Sequence, residues 1–151
     1  MVPAQAGAAM GAGSSVIQRF GYDGKPTTDP VCPCVVHNGM IYISTGANWT
    51  KEEGTVRDGA LNPPTLDLTT HVTRTMELLK KLLEAAGGDM GHIHTLTVFM
   101  ATLEFYWEIN KPYGAAFVAP NRPPARTALA VTGIPGGSLF EISCIASVVK
   151  A

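Results

Sequence analysis

Arg126 and Glu141 are the two charged side chains in the C-terminal third whose surroundings point to chemistry rather than to a solvated surface. Arg126 stands in PNRPPARTALAV (120–131), behind two prolines and ahead of small residues. An arginine entering a strand is almost never fully buried unless it is paired, so the stretch asks which anion it meets. Strict alternation puts Arg126 on one strand face with Ala128, Ala130 and Thr132. If Pro135-Gly136 turns the chain back as a hairpin, Glu141, Ser143 and Ile145 share that face. Glu141 then lies opposite Ala130, about 13 Å along the strand from Arg126. That is too far for an ion pair and far enough for a ligand between them. An arginine bound to a C-terminal carboxylate or to a neighbouring chain fits the pattern equally well.

Other reactive residues lack partners. Cys32-Pro33-Cys34 is conspicuous, but only Cys144 remains as a further thiol, and zinc sites need a fuller ligand set. A Cys32–Cys34 disulfide would be strained. His92 and His94 fall on one side of a strand, with no acidic residue or third histidine in evident reach to complete a metal site. No nucleophile elbow, phosphate loop or dinucleotide fingerprint is present. The expectation is therefore no metal and no cofactor.

These side chains need a scaffold. The chain has 151 residues, suited to one domain. Residues 1–14, rich in Ala and Gly without Lys or Arg, read as a flexible tail with no targeting signal. The domain is expected over 15–151, in the cytoplasm with reduced thiols. No apolar run is long enough for a membrane span. A net charge of −1 without a basic run disfavours nucleic acid. Only 15% of residues are charged, against about 25% usually, which suggests surface hidden in an oligomer.

Residues 14–20 suggest a short strand. Asn38-Gly39 between two β-rich runs predicts a hairpin over 34–47. Residues 51–64 read as a surface loop. Leu68, Val72, Met76, Leu79, Leu83 and Ala86 recur at helical steps, so a helix is expected over 66–86, ended by Gly87-Gly88. A central strand follows (92–102), then a second helix (103–118) kinked or broken at Pro112. Strands at 125–134 and 138–149 close the chain, turning at 135–137. The order β-β-α-β-α-β-β predicts an α+β fold, a single domain with one mixed β-sheet and two helices on one face. The other face then needs cover from another chain.

Five segments in order, NGMIYISTG (38–46), LLEAAGGDMGHIHTLTVFM (82–100), EINKPYGAAF (108–117), PPART (123–127) and GIPGGSLFEISCIA (133–146), resemble the Rid/YjgF family. These are reactive-intermediate enamine/imine deaminases, once described as endoribonucleases, and the likeness runs from about Pro30 to Val149. The resemblance implies a chorismate-mutase-like fold, a homotrimer with a central barrel, and sites between neighbouring subunits. It matches the family's carboxylate-binding arginine to Arg126 and its water-positioning glutamate to Glu141. Asn110, Thr45 and Gly46 match further substrate-binding positions. One departure stands out: where relatives carry a tyrosine, this chain has Val31 or Cys32, so Cys32 is expected to line a wider pocket. The implied activity is hydrolytic deamination of an enamine or imine of a small carboxylic acid, 2-aminoacrylate-like or a bulkier, aminomuconate-like one. A non-catalytic trimeric carboxylate-binding regulator, a ribonuclease and a Cys32-nucleophile enzyme are the alternatives.

Overall fold

Helix periodicity and strand alternation place most elements where the sequence suggests, within a sheet of a different order. The computed structural model describes residues 15–47, 49, 55–57 and 60–149; the tail expected over 1–14 lies outside them. Along the chain come β1 (Gln18–Phe20), β2 (Cys34–His37), β3 (Met40–Gly46), β4 (Thr55–Arg57), β5 (Ala60–Asn62), α1 (Leu68–Ala85), β6 (Ile93–Met100), α2 (Asn110–Ala115), β7 (Ala125–Ala130) and β8 (Phe140–Ser147).

α1 forms because its apolar residues fall three and four apart and both ends are capped. At the start, Asp67 accepts from the Thr70 amide (2.9 Å) and hydroxyl (2.6 Å). Those bonds hold its carboxyl below the usual carboxylate range. At the end, Gly87 takes φ +84°, where a Cβ would be strained. Its amide and that of Gly88 bond Glu84 and Leu83 carbonyls. The inner stripe includes Leu68, Val72, Met76, Leu79 and Leu83, all buried. It packs on Ile41, Ile43, Phe140, Ile142, Leu96, Val98 and Met100 from the sheet.

The sheet runs β1-β2-β3-β8-β6-β7. β6 and β7 are parallel, and its other pairs are antiparallel. The expected closing hairpin is therefore not formed. β8 lies between β3 and β6, and β7 lies at the edge. β8 carries an unbroken buried face of Phe140, Ile142, Cys144 and Ala146, which suits an interior strand. β7 offers alanines and an arginine, which suit an edge. The connection from β7 crosses the end of β6, where Val131 N–H bonds Met100 O and Ala101 N–H bonds Leu139 O.

Three further expectations change. Residues 103–118 are not one broken helix: a 3-10 turn (Leu103–Phe105) precedes the short α2. Pro112 does not break α2, because it stands in its first turn, where no intrahelical donor is required. The loop expected over 51–64 includes the two-stranded β4–β5 sheet. His92 ends a 3-10 turn before β6 instead of lying on it. There its Nδ1–H donates to Asp89 Oδ1 at 2.6 Å, so an acidic partner does lie close to it in sequence.

Both helices cover one face. The other, carrying Tyr42, Thr97, Phe99, Leu129, Ser143 and Ile145, has no cover from the described residues, and Tyr42, Leu129 and Ile145 are exposed. No helix among the described residues is long and apolar enough to cross a membrane.

Candidate functional site

Strand pairing separates the two charged residues. Arg126 and Cys144 both pair with Leu96, so Arg126 shares the helix-covered side. Glu141 pairs with Phe99 and with Gly46, on the open side. The two therefore occupy opposite faces, three residues apart along β6, about 10 Å. A one-residue difference in register reverses a side chain's face, and the sheet order supplies that difference. Within one chain they cannot grip one small ligand.

Arg126 is half-buried beside α2. Its Nη1–H donates to Asn110 Oδ1 at 3.0 Å. Its guanidinium carbon stands 4.8 Å from the Tyr113 ring centroid and 5.9 Å from that of Tyr106. Burial pushes the Tyr113 phenol up, and the Arg126 charge opposes that shift. Among the described residues no carboxylate pairs with Arg126, so part of its five-donor fork is left for an anion. Asn110, at the start of α2, thus stands directly beside Arg126.

Glu141 lines a cavity of about 220 Å³ with Tyr22, Gly46, Trp49, Gly136 and Ser138. A Cβ on Gly46 would stand 3.3 Å from Phe140 O and 3.5 Å from Ser138 Oγ, so glycine keeps this corner open. Thr45, its neighbour, turns to the opposite side: it is buried, and its hydroxyl donates to Gly46 O at 3.1 Å. Cys32 stands near Tyr22 but does not line the cavity. Its thiol is directed at Cys34 O (3.1 Å) and Phe20 O (3.5 Å).

Tyr22 and Trp49 are the residues the sequence argument missed. Burial, then the charge of Glu141, then Cys32, push the Tyr22 phenol up, so it keeps its proton at neutral pH. An aromatic hydroxyl therefore reaches this cavity from the turn after β1, although Val31 and Cys32 carry none. Trp49 is set by α1. His71 meets its ring edge-on, with centroids 5.2 Å apart, and the Arg74 guanidinium lies 4.4 Å over it. A larger groove of about 760 Å³ along α1 shares Tyr22 with the cavity and includes Thr70, Arg74 and Lys81.

His71 is fully buried and ties α1 to the turn that leads into Glu141. Its Nε2–H donates to Thr65 O at 2.7 Å, and Nδ1 accepts from Leu139 N–H at 3.2 Å. His71→Leu leaves both backbone groups unsatisfied, and each such loss costs about 1–3 kcal/mol. The variant is expected to lose roughly 2–4 kcal/mol in denaturant unfolding. A loss under about 0.5 kcal/mol would remove His71 from this role.

The thiols differ sharply. Burial pushes Cys34 and Cys144 up to about 12, so both remain protonated and shielded. All three cysteines are free. The native protein is expected to label at no more than Cys32 with a thiol reagent, and at all three sites once unfolded. Labelling of Cys34 or Cys144 without unfolding would contradict this packing. Among the described residues, no three His, Cys, Asp or Glu side chains gather to hold a metal ion.

Residues 26–148 match the family described as Endoribonuclease L-PSP. Protein DfrA of Myxococcus xanthus is 36% identical over 91 residues, which cover 57% of this chain and 68% of DfrA. Among solved structures, YyfA of Yersinia pestis, a Rid-family protein of unknown function, superposes with a TM-score of 0.71 at 20% identity. It covers 88% of this chain and all of its own. The YjgF gene product of E. coli gives 0.66 at 24% identity, covering 86% and 97%. These two likenesses are of fold.

Proposed function

Since the chain belongs to the Endoribonuclease L-PSP family, the Rid/YjgF proteins, we propose that it is a hydrolytic deaminase of enamine or imine acids whose site is shared between subunits of a homotrimer. The observation that carries this reading is the placement of Arg126 with Asn110 on one face and Glu141 in a cavity on the other. Each chain holds two half-sites that it cannot combine, and the uncovered sheet face is where a neighbouring copy would bring them together. The substrate carboxylate lies on Arg126 of the partner subunit, held by two parallel charge-assisted bonds, with its C=N carbon over Glu141.

The chemistry follows from those positions. An enamine first takes a proton on carbon and becomes an iminium. A water oxygen then bonds to the C=N carbon while Glu141 takes one of the water's protons, and the C=N electron pair moves to nitrogen. Glu141 returns that proton to the nitrogen of the carbinolamine. The C–N bond breaks with its pair on nitrogen, the hydroxyl becomes the keto group, and its proton leaves with ammonia as ammonium. The phenol of Tyr22 stays protonated through these steps and acts as a hydrogen-bond donor.

Ammonia release from a panel including 2-aminoacrylate and 2-aminomuconate, measured against the uncatalysed rate, tests the reading. No acceleration with any member would sink the deaminase. Carboxylate binding retained without turnover would leave the regulator. Sedimentation is expected to give a trimer, since stable interfaces bury roughly 1,200–2,000 Å² or more and an apolar sheet face is available. A monomer at micromolar concentration would remove the shared site.

A further inference from the structure

Two walls of the Glu141 cavity, the 134–139 turn and Trp49, meet on one imidazole. A carbonyl only accepts and an amide N–H only donates. The bonds of His71 to Thr65 O and from Leu139 N–H therefore require one tautomer of the neutral ring, with the proton on Nε2 and a bare Nδ1. Leu139 stands between Ser138, which lines the cavity, and Phe140, which opens β8. Its carbonyl is held by Ala101 N–H at 3.1 Å, so the imidazole fixes the amide side of the same residue. The ring meets Trp49 edge-on at an interplanar angle of 69°. Its own backbone is held in turn, with the Thr75 hydroxyl donating to His71 O at 2.7 Å.

A proton on Nδ1 would set one donor against another across 3.2 Å. The Leu139 amide must then leave the ring for water, and it takes with it the turn that leads into Glu141. The added charge also meets an indole whose face already carries Arg74. Among the described residues, three other charged side chains bear on this ring. Asp67 precedes it on α1 and feels its charge, Arg74 stands across Trp49, and Glu141 lies beyond the turn. The 63–65 segment and the 134–139 turn bring no titratable side chain. The held form binds fewer protons than the released one, so a falling pH favours release. We infer that His71 is a positioning residue for Glu141: its neutral ring holds the cavity walls in place, and its protonation releases them. The holding stands on the geometry alone, and its effect on turnover rests on the reading that Glu141 acts in this cavity.

The chain has two tryptophans and Trp107 is exposed, so Trp107→Phe leaves Trp49 as the sole indole, beside His71. Lowering the pH from about 8 to about 4, across the range where an imidazole gains charge, is expected to quench Trp49 in a single-proton step, because an imidazolium quenches an adjacent indole. Glutamine also offers a donor and an acceptor and does not titrate. Adding His71→Gln should abolish the step and keep the Leu139 amide protected from hydrogen exchange. Flat emission in Trp107→Phe, or an unchanged step after His71→Gln, would overturn the inference. If the glutamine variant does not fold, NMR of the ring nitrogens in the parent decides. Nδ1 should be bare at neutral pH, and Leu139 should lose its protection as Nδ1 gains a proton. Protection that outlasts that proton counts equally against the inference. In turnover, His71→Gln should match the parent kcat within about threefold at neutral pH and exceed it by about 10- to 100-fold at the acid end, with KM alike. Glu141 is present in both proteins, so the difference belongs to His71, and coincident profiles would remove the positioning role. A step in Trp49 emission without any ammonia release keeps the hold on the cavity walls and loses the deaminase.

Discussion

Glu141→Gln is expected to lower kcat for ammonia release by about 100- to 10,000-fold, the usual contribution of a positioned general base. The amide keeps the shape of the carboxylate but cannot take a proton from water. KM should change little, because the carboxylate grip lies with Arg126. The fold should survive, since no ion pair or hydrogen bond to the Glu141 carboxylate is formed among the described residues and its strand neighbours are backbone-paired. A spectroscopic sign should accompany the loss. The Glu141 charge helps push the Tyr22 phenol up, so removing it should lower the pH at which that tyrosine ionises. A variant within fivefold of the parent would show that Glu141 only occupies the cavity.

Arg126→Lys should lower kcat/KM by about 10- to 150-fold, the equivalent of losing a charge-assisted hydrogen bond worth about 1.5–3 kcal/mol. Lysine keeps the charge but not the fork that meets both carboxylate oxygens, nor the guanidinium contact over the Tyr113 ring. The two variants together examine the shared site directly. Refolded as a mixture, they form mixed trimers in which about a quarter of interfaces join an intact arginine to an intact glutamate. Activity should return to about that fraction of the parent's. Mixed trimers no better than either variant alone would place both residues' action within one chain, against the opposite faces they occupy here.

The sequence made the parts legible and left their relation obscure. α1 is readable because its buried positions recur with the helical period, and the hairpin because Asn38-Gly39 has few other uses. Arg126, Asn110 and Glu141 stand out by residue type and by family likeness. Their faces do not, because strand parity depends on which strands pair. Nothing local in residues 125–147 says that the last strand slips between β3 and β6. Tyr22 and Trp49 belong to irregular segments, where no period marks a side chain as inward-facing. Tyr22 did carry a faint signal, an aromatic between two glycines in Gly21-Tyr22-Asp23-Gly24. The β4–β5 pair carried a clearer one: Asp58-Gly59 is a favoured hairpin dipeptide, outweighed by the polar composition around it.

The position of β8 also governs how the molecule is made. Every other strand of the six-stranded sheet precedes it in the chain, yet it is the strip that joins β1–β2–β3 to β6–β7. Until residues 140–147 have left the ribosome, the nascent chain holds two separate sheet fragments, each with an unpaired inner edge. Such edges are templates for wrong pairing, and contacts this distant in sequence form slowly. Completion of the sheet therefore waits for its last strand, and the stretch of synthesis before residues 140–147 emerge is when the polypeptide is most open to aggregation and to chaperone capture.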